Sequence, residues 1–137
     1  MDQKIALITG AGSGVGLACA QRLAKDGFTL VLTGRQQDKI DAACATLDGQ
    51  GHIAVAADVG IEAEVDALFE RVETTFGRLD LLFNNAGRNG SAVEVDGLSV
   101  AEWNDIVATN LTGSFLCARA AFALMKRQSP KGGRIIN

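Results

Sequence analysis

Glycines at 10, 14 and 16 stand directly behind the apolar run Ile5, Ala6, Leu7, Ile8, in the stretch Thr-Gly-Ala-Gly-Ser-Gly-Val-Gly from Thr9 to Gly16. A Gly-rich turn that carries a buried strand into a helix lets the backbone bend tightly. It also brings N–H groups against a pyrophosphate, whose charge a helix N-terminus favours. The stretch therefore reads as a phosphate cradle, with Gly10, Ser13, Gly14, Val15 and Gly16 as its contact residues. Its spacing is GxxxGxG. A GxGxxG fingerprint would need glycine where Val15 stands, and a nucleoside-triphosphate loop would need Lys and Ser or Thr where Leu17 and Ala18 stand. Kinase-like chemistry is not expected from this turn.

Further along, polar groups fall where a bound nucleotide could meet them. A carboxylate at the end of the second strand would hold the ribose hydroxyls of NAD and repel the extra phosphate of NADP. Here that place reads Thr33, Gly34, Arg35, with a guanidinium and no acid. NADP(H) is favoured over NAD(H), with a solvent-facing Arg35 as the alternative. Asp58 and Val59 follow the third strand, where Asp58 could equally start the next helix. Asn110 lies on what a helical period makes an inward stripe, Trp103, Ile106, Val107, Asn110, Leu111 and Ser114. A buried amide needs partners, either backbone groups or a held water.

These residues need a scaffold, and the apolar pattern supplies one. Short apolar runs at about 4–9, 29–33, 52–57 and 79–83 alternate with helical stripes, and a fifth run starts at Arg134. The helical stripes are Val15, Ala18, Cys19, Leu23; then Ile40, Ala43, Cys44, Leu47; then Val65, Leu68, Phe69, Val72, Phe76. Gly27 and Gly77 are placed to stop the first and third helices. Ser99 and Glu102 form a capping box for a fourth helix that should run to about Arg127. Such alternation predicts an α/β fold, a Rossmann-like doubly wound parallel sheet in the order 3-2-1-4-5. Ligands then bind at the carboxyl ends of the strands, which places the lone His52 at the opposite end as a surface residue.

Thr9-Gly10-x-x-x-Gly14-x-Gly16, Asn84-Asn85-Ala86-Gly87 and the Asn110 of Thr109-Asn110-Leu111 occur in this order. Together they resemble the cofactor and active-site motifs of the short-chain dehydrogenase/reductase family. The resemblance covers the whole chain, which is a little over half the family's usual length. It implies an NAD(P)-dependent oxidoreductase that moves a hydride between a nicotinamide cofactor and a small alcohol or carbonyl substrate. It further implies that Asp58 and Val59 contact the adenine, and that Asn85, Ala86 and Gly87 line the ribose and nicotinamide. Asn110 would be catalytic, holding a water in a proton relay. The helix from Asn110 to Met125 would pack against its copy in a homodimer or homotetramer.

The family's catalytic Ser, its Tyr and the Lys three residues after that Tyr normally follow the strand that begins here at Arg134. This chain contains no Tyr. The expectation is a single, incomplete NAD(P)-binding domain over residues 1–137, lacking the C-terminal strands and helices and inactive by itself. A non-catalytic NAD(P)-binding sensor or regulatory module is the alternative.

Composition agrees with a small-ligand protein. With 13 Lys and Arg against 16 Asp and Glu, no basic field exists for nucleic acid. Cysteines at 19, 44 and 117 lack metal-ligand spacing and fall in helical apolar patterns, as small core residues do in a reducing cytoplasm. No metal is expected, and no uninterrupted run of 18 apolar residues suggests a membrane span.

Overall fold

A computed structural model of the chain describes residues 3–137. Strand β1 (Ile5–Thr9) leads into α1 (Gly14–Lys25), then β2 (Thr29–Gly34), α2 (Gln37–Cys44), β3 (Ile53–Ala56), α3 (Glu62–Phe76) and β4 (Leu81–Phe83). A long helical rod follows, made of α4 (Val100–Val107), a π turn (Ala108–Thr112) and α5 (Gly113–Arg127), and β5 (Arg134–Ile136) ends the sheet. The strands pair in parallel in the order β3-β2-β1-β4-β5, as the alternating pattern predicts.

Every residue of β1 is buried, which is why its sequence is apolar without alternation. Successive side chains nevertheless divide between two cores. Ile5, Leu7 and Val31 pack with Val65, Leu68 and Val72 of α3 and with Leu116, Cys117 and Leu124 of α5. Ala6, Ile8, Leu30 and Leu32 face the other way, onto Ala20 and Ala24 of α1 and Ala43 of α2. Registers of Leu7 against both Val31 and Leu82 keep the carboxyl ends of β1, β2 and β4 level. That level edge becomes the floor of the candidate site.

The third helix follows its stripe, and Gly77 closes it at φ 70°, its N–H donating to the Glu73 carbonyl at 2.8 Å. Four other expectations need correction. First, α1 buries Gly16, Ala20 and Ala24, while Val15 is 65% exposed. The reason is proximity: a Cβ at Gly16 would lie 2.5 Å from the Gly10 carbonyl oxygen, so the face nearest the sheet must be small.

Second, the rod is not one regular helix. The π turn adds a residue between α4 and α5, so a stripe read at 3.6 residues per turn loses its phase from Asn110 on, and in α4 itself, ahead of the turn, no residue is buried. Trp103 and Leu111 are 58% and 68% exposed, and Asn110 is exposed too. The buried positions of α5 are Gly113, Leu116, Cys117, Ala121, Leu124 and Met125. By length and hydropathy the 28-residue rod could also cross a membrane, unlike what the runs suggested. Here its buried residues pack against α3 and the sheet instead.

Third, only half of the capping box forms. Ser99 Oγ accepts from the Glu102 N–H at 3.1 Å. The Glu102 carboxylate instead accepts from the Ser91 N–H and hydroxyl, at 2.6 and 2.7 Å. Those bonds hold its carboxyl below the usual range. Fourth, His52 is half-buried rather than on the surface. Its Nδ1 accepts from the Leu30 N–H at 3.0 Å, and its Nε2 lies 2.8 Å from the Asp48 carbonyl, which ties the turn before β3 to β2.

Candidate nucleotide site

The turn after β1 is locked to the end of β4 by a small hydrogen-bond lattice. Thr9 Oγ1 accepts from the backbone N–H groups of Asn85 at 3.0 Å and Ala86 at 2.9 Å. Asn85 returns the contact, its Nδ2 donating to the carbonyls of Thr9 and Gly10, each at 3.1 Å. The two chains approach so closely that a Cβ on Gly10 would sit 2.9 Å from Ala86 Cα, and Gly10 itself has φ 63°. Gly10 and Gly16 are therefore required by space as well as by backbone freedom.

Helix α1 begins at Ser13, which has the extended backbone of an N-cap but whose side chain makes no capping bond. The first N–H groups of a helix have no partner inside it. A free hydroxyl and a set of amide donors thus face the space beyond the strands, where an anion is favoured. That space is a cleft of about 270 Å³.

Its floor and one wall come from Gly10, Gly12, Ser13, Ala86 and Gly87. The far end is Gly34, Arg35, Gln36, Lys39 and Ile40, and Ala57, Asp58 and Val59 close the side. Of the residues expected from sequence, Gly10, Ser13, Arg35, Asp58, Val59, Ala86 and Gly87 all meet here. Gly14, Val15, Gly16, Asn85 and Asn110 do not line the cleft. Gly16 and Asn85 stand behind its wall and set the spacing. Lys39, Gln36, Gly12, Arg88 and Thr109 line it without having been expected. Exposed positions of a helix carry no periodic signal, so nothing in the sequence pointed to Lys39.

Charge is uneven around this cleft. Among the described residues Arg22, Arg78, Arg88, Arg119 and Arg127 each reach a carboxylate. Arg35 and Lys39 form no ion pair with any described residue. The cleft's acid, Asp58, is partly spoken for, since its Oδ1 accepts from the Gly60 N–H at 2.9 Å. Its own N–H donates to the Glu64 carboxylate, so Asp58 also shapes the approach to α3. Val59 is buried and packs so tightly on α5 that a Cβ at Gly113 would come within 2.7 Å of it.

Asn110 stands at the mouth. The Arg88 N–H donates to its Oδ1 at 2.8 Å, and its Nδ2 donates to the Arg88 carbonyl at 2.9 Å. Both ends of the amide thus clamp the segment that leaves β4. An Asn side chain has two amide hydrogens and two carbonyl lone pairs, so one of each is left over. Asn84 ties the same strand end to α5, its Nδ2 donating to the Ser114 carbonyl at 3.1 Å. Cys117 offers no nucleophile at neutral pH, because burial pushes its thiol up to about 12.

Three groups of findings bear on what such a cleft belongs to. The sequence model of a family described as "short chain dehydrogenase" matches residues 4–137. A 3beta-hydroxysteroid dehydrogenase of Mediterraneibacter gnavus is 38% identical over 139 residues, covering 99% of this chain and 49% of that protein. The chain thus spans about half the length of the curated relatives it matches.

Among solved structures, a metagenomic short-chain oxidoreductase in complex with NADP superposes with a TM-score of 0.91 at 32% identity, over 98% of this chain and 61% of that one. A 3-ketoacyl-(acyl-carrier-protein) reductase from Brucella melitensis, complexed with NADH, gives 0.90 at 35% identity, over 96% of this chain and 55% of that one.

Proposed function

The chain belongs to the short-chain dehydrogenase family, and from that membership we propose that it is the cofactor-binding part of an NAD(P)-dependent oxidoreductase acting on a small alcohol/carbonyl pair, with NADP(H) preferred. The observation that carries the cofactor preference is Arg35, which lines the far end of the cleft without an ion pair among the described residues. The cradle itself fits a dinucleotide: glycine at 10 and 16 lets the turn pack against Ala86 and Asn85 beside the cleft, and Ser13 leaves its hydroxyl unused.

In this reading the turn from Gly10 to Gly16 holds the pyrophosphate, Gly10 and Ser13 lining the cleft while Gly14, Val15 and Gly16 start the helix whose N-terminus favours its charge. Asp58 and Val59 border the adenine, and Ala86 and Gly87, braced by Asn85, line the nicotinamide side. When bound, the cofactor would supply or accept the hydride. Asn110 uses its leftover hydrogen and lone pair to hold a water beside the reacting centre, while its bonds to Arg88 fix the amide's orientation.

The exposed Leu111, Phe115 and Phe122 share one side of the rod, a flank suited to a second copy in a homodimer or homotetramer. The protein is read as cytoplasmic, its cysteines being free thiols.

The test is a pair of titrations. Arg35→Ala should weaken NADPH by about ten- to a hundredfold and leave NADH nearly unchanged, since a charge-assisted contact contributes ~1.5–3 kcal/mol. Equal losses for both cofactors would remove Arg35 from the phosphate. The purified 137-residue chain should show no measurable hydride transfer, because it has no Tyr to pass the proton. Turnover by that chain would contradict the proposed division of labour.

A further inference from the structure

Lys39 is the second cation of the cleft, and its placement is unusual for a lysine on a helix surface. Its side chain does not point away from the sheet but lies over the Gly-rich turn. A Cβ built on Gly12 would meet Lys39 Cγ at 3.1 Å, Cδ at 3.3 Å and Cε at 3.5 Å. Gly12 therefore leaves the groove in which the stem of Lys39 rests, and Lys39 lines the same cleft as Ser13 and Arg35. Apolar support of a lysine stem with its head in water is ordinary packing. What sets Lys39 apart is this placement in the cleft lining; like the other described lysines it forms no ion pair, although Asp38 is its chain neighbour and Asp41 lies two residues on. Asp41 is occupied elsewhere, accepting from Gln37 Nε2 at 2.8 Å.

Two cationic side chains, Arg35 and Lys39, thus line the same end of one cleft, and neither has an ion-pair partner among the described residues. We infer that Lys39 is a second specificity-determining residue, acting with Arg35 to hold the additional ribose phosphate of NADP(H). The inference rests on the NADP(H) reading above. Division of labour follows from side-chain chemistry. Arg35 offers a planar fork that fits two phosphate oxygens, whereas Lys39 is a point charge on a stem whose course Gly12 sets. A dianionic phosphate between two cations loses less on desolvation than one beside a single cation.

Calorimetric titration of the protein with NADP+ and NAD+, each against wild type, Lys39→Met, Lys39→Arg and Arg35→Ala, tests this. Lys39→Met keeps the stem's packing and removes the charge. It should weaken NADP+ by about five- to tenfold and change NAD+ by less than about twofold. Lys39→Arg should restore most of the loss, which a purely packing role would not require.

Equal weakening of both cofactors by Lys39→Met would place the ammonium on the shared pyrophosphate and overturn the inference. So would no weakening of either while Arg35→Ala still lowers NADP+ affinity. A wild-type protein that binds NAD+ as tightly as NADP+ would overturn the Arg35 reading and this one together, an outcome distinct from the failure of Lys39 alone.

Discussion

The carboxyl ends of β1 and β4 and the outer flank of the helical rod are built on opposite terms. At the strand ends the main chains are so close that glycine is the only residue that fits at 10 and 16, and Thr9 and Asn85 bond to each other's backbone. Little there can move without breaking a hydrogen bond. Along the rod, Trp103, Leu111, Phe115 and Phe122 are all more than half exposed, and the Arg119 guanidinium lies 5.4 Å from the Phe115 ring centre. One region is finished within these residues, and the other presents a face that gains by being covered. The difference separates two tasks: a cradle must be rigid before its ligand arrives, whereas an assembly face need only be apolar and continuous.

The sharpest way to break the contrast is to add one methyl to the rigid end. Gly16→Ala should destabilise the fold by ~2 kcal/mol in urea unfolding, because the new Cβ has the Gly10 carbonyl and Asn85 Nδ2 at 2.5 Å and backbone must shift. The same change should abolish cofactor binding, and an unaltered midpoint would mean that the turn is slack.

A second test lies at the amino ends of the same strands. There Asp80 pairs with Arg78 at 2.6 Å and accepts from the Ile5 N–H at 2.8 Å. Burial opposes its ionisation, but the Arg78 bond, the Ile5 N–H and the charges of Arg78 and Lys4 outweigh it, so the carboxyl titrates below its ordinary value. A carboxylate depressed in the folded state stabilises above its unfolded pKa of about 3.9, and that contribution fades as pH falls through the lower folded value. Asp80→Asn should therefore be less stable than wild type at neutral pH, and the gap should close in acid. A gap that persists unchanged in acid would show that the bond to Ile5, not the charge, is what matters.

The smallest effect on folding belongs to the flank. Phe122→Ser should leave the unfolding midpoint within about 0.5 kcal/mol of wild type, as surface changes do. It should shift the protein toward smaller species in light scattering. An unchanged particle mass would remove this flank from the assembly.

Much of the rigid region was legible in the chain because its constraints are local. A turn that needs glycine at 10 and 16 writes glycine, and strands buried on both faces write unbroken apolar runs. The rod was harder to read. A π turn at Ala108–Thr112 leaves no mark in composition, yet it breaks the helical period at Asn110, which is exposed. The amide's bonds to the Arg88 backbone are a contact that no helical period could reveal. Glu102 fits a capping box by spacing, but the Ser91 donors win its carboxylate because the loop after β4 folds back over α4. Lys39 was silent, since a lysine on an exposed helical position reads as a solvated one until its stem is seen over Gly12.

The central claim is that the cleft beyond β1, β2 and β4 is the cofactor site, and residue-resolved NMR during titration with NADP+ tests it most directly. Saturable amide shifts should concentrate at Gly10, Gly12, Ser13, Gly14, Arg35, Asp58, Ala86 and Gly87, the Gly-rich turn and the residues that meet it. Shifts confined to the rod's outer flank, or none at saturating nucleotide, would contradict it.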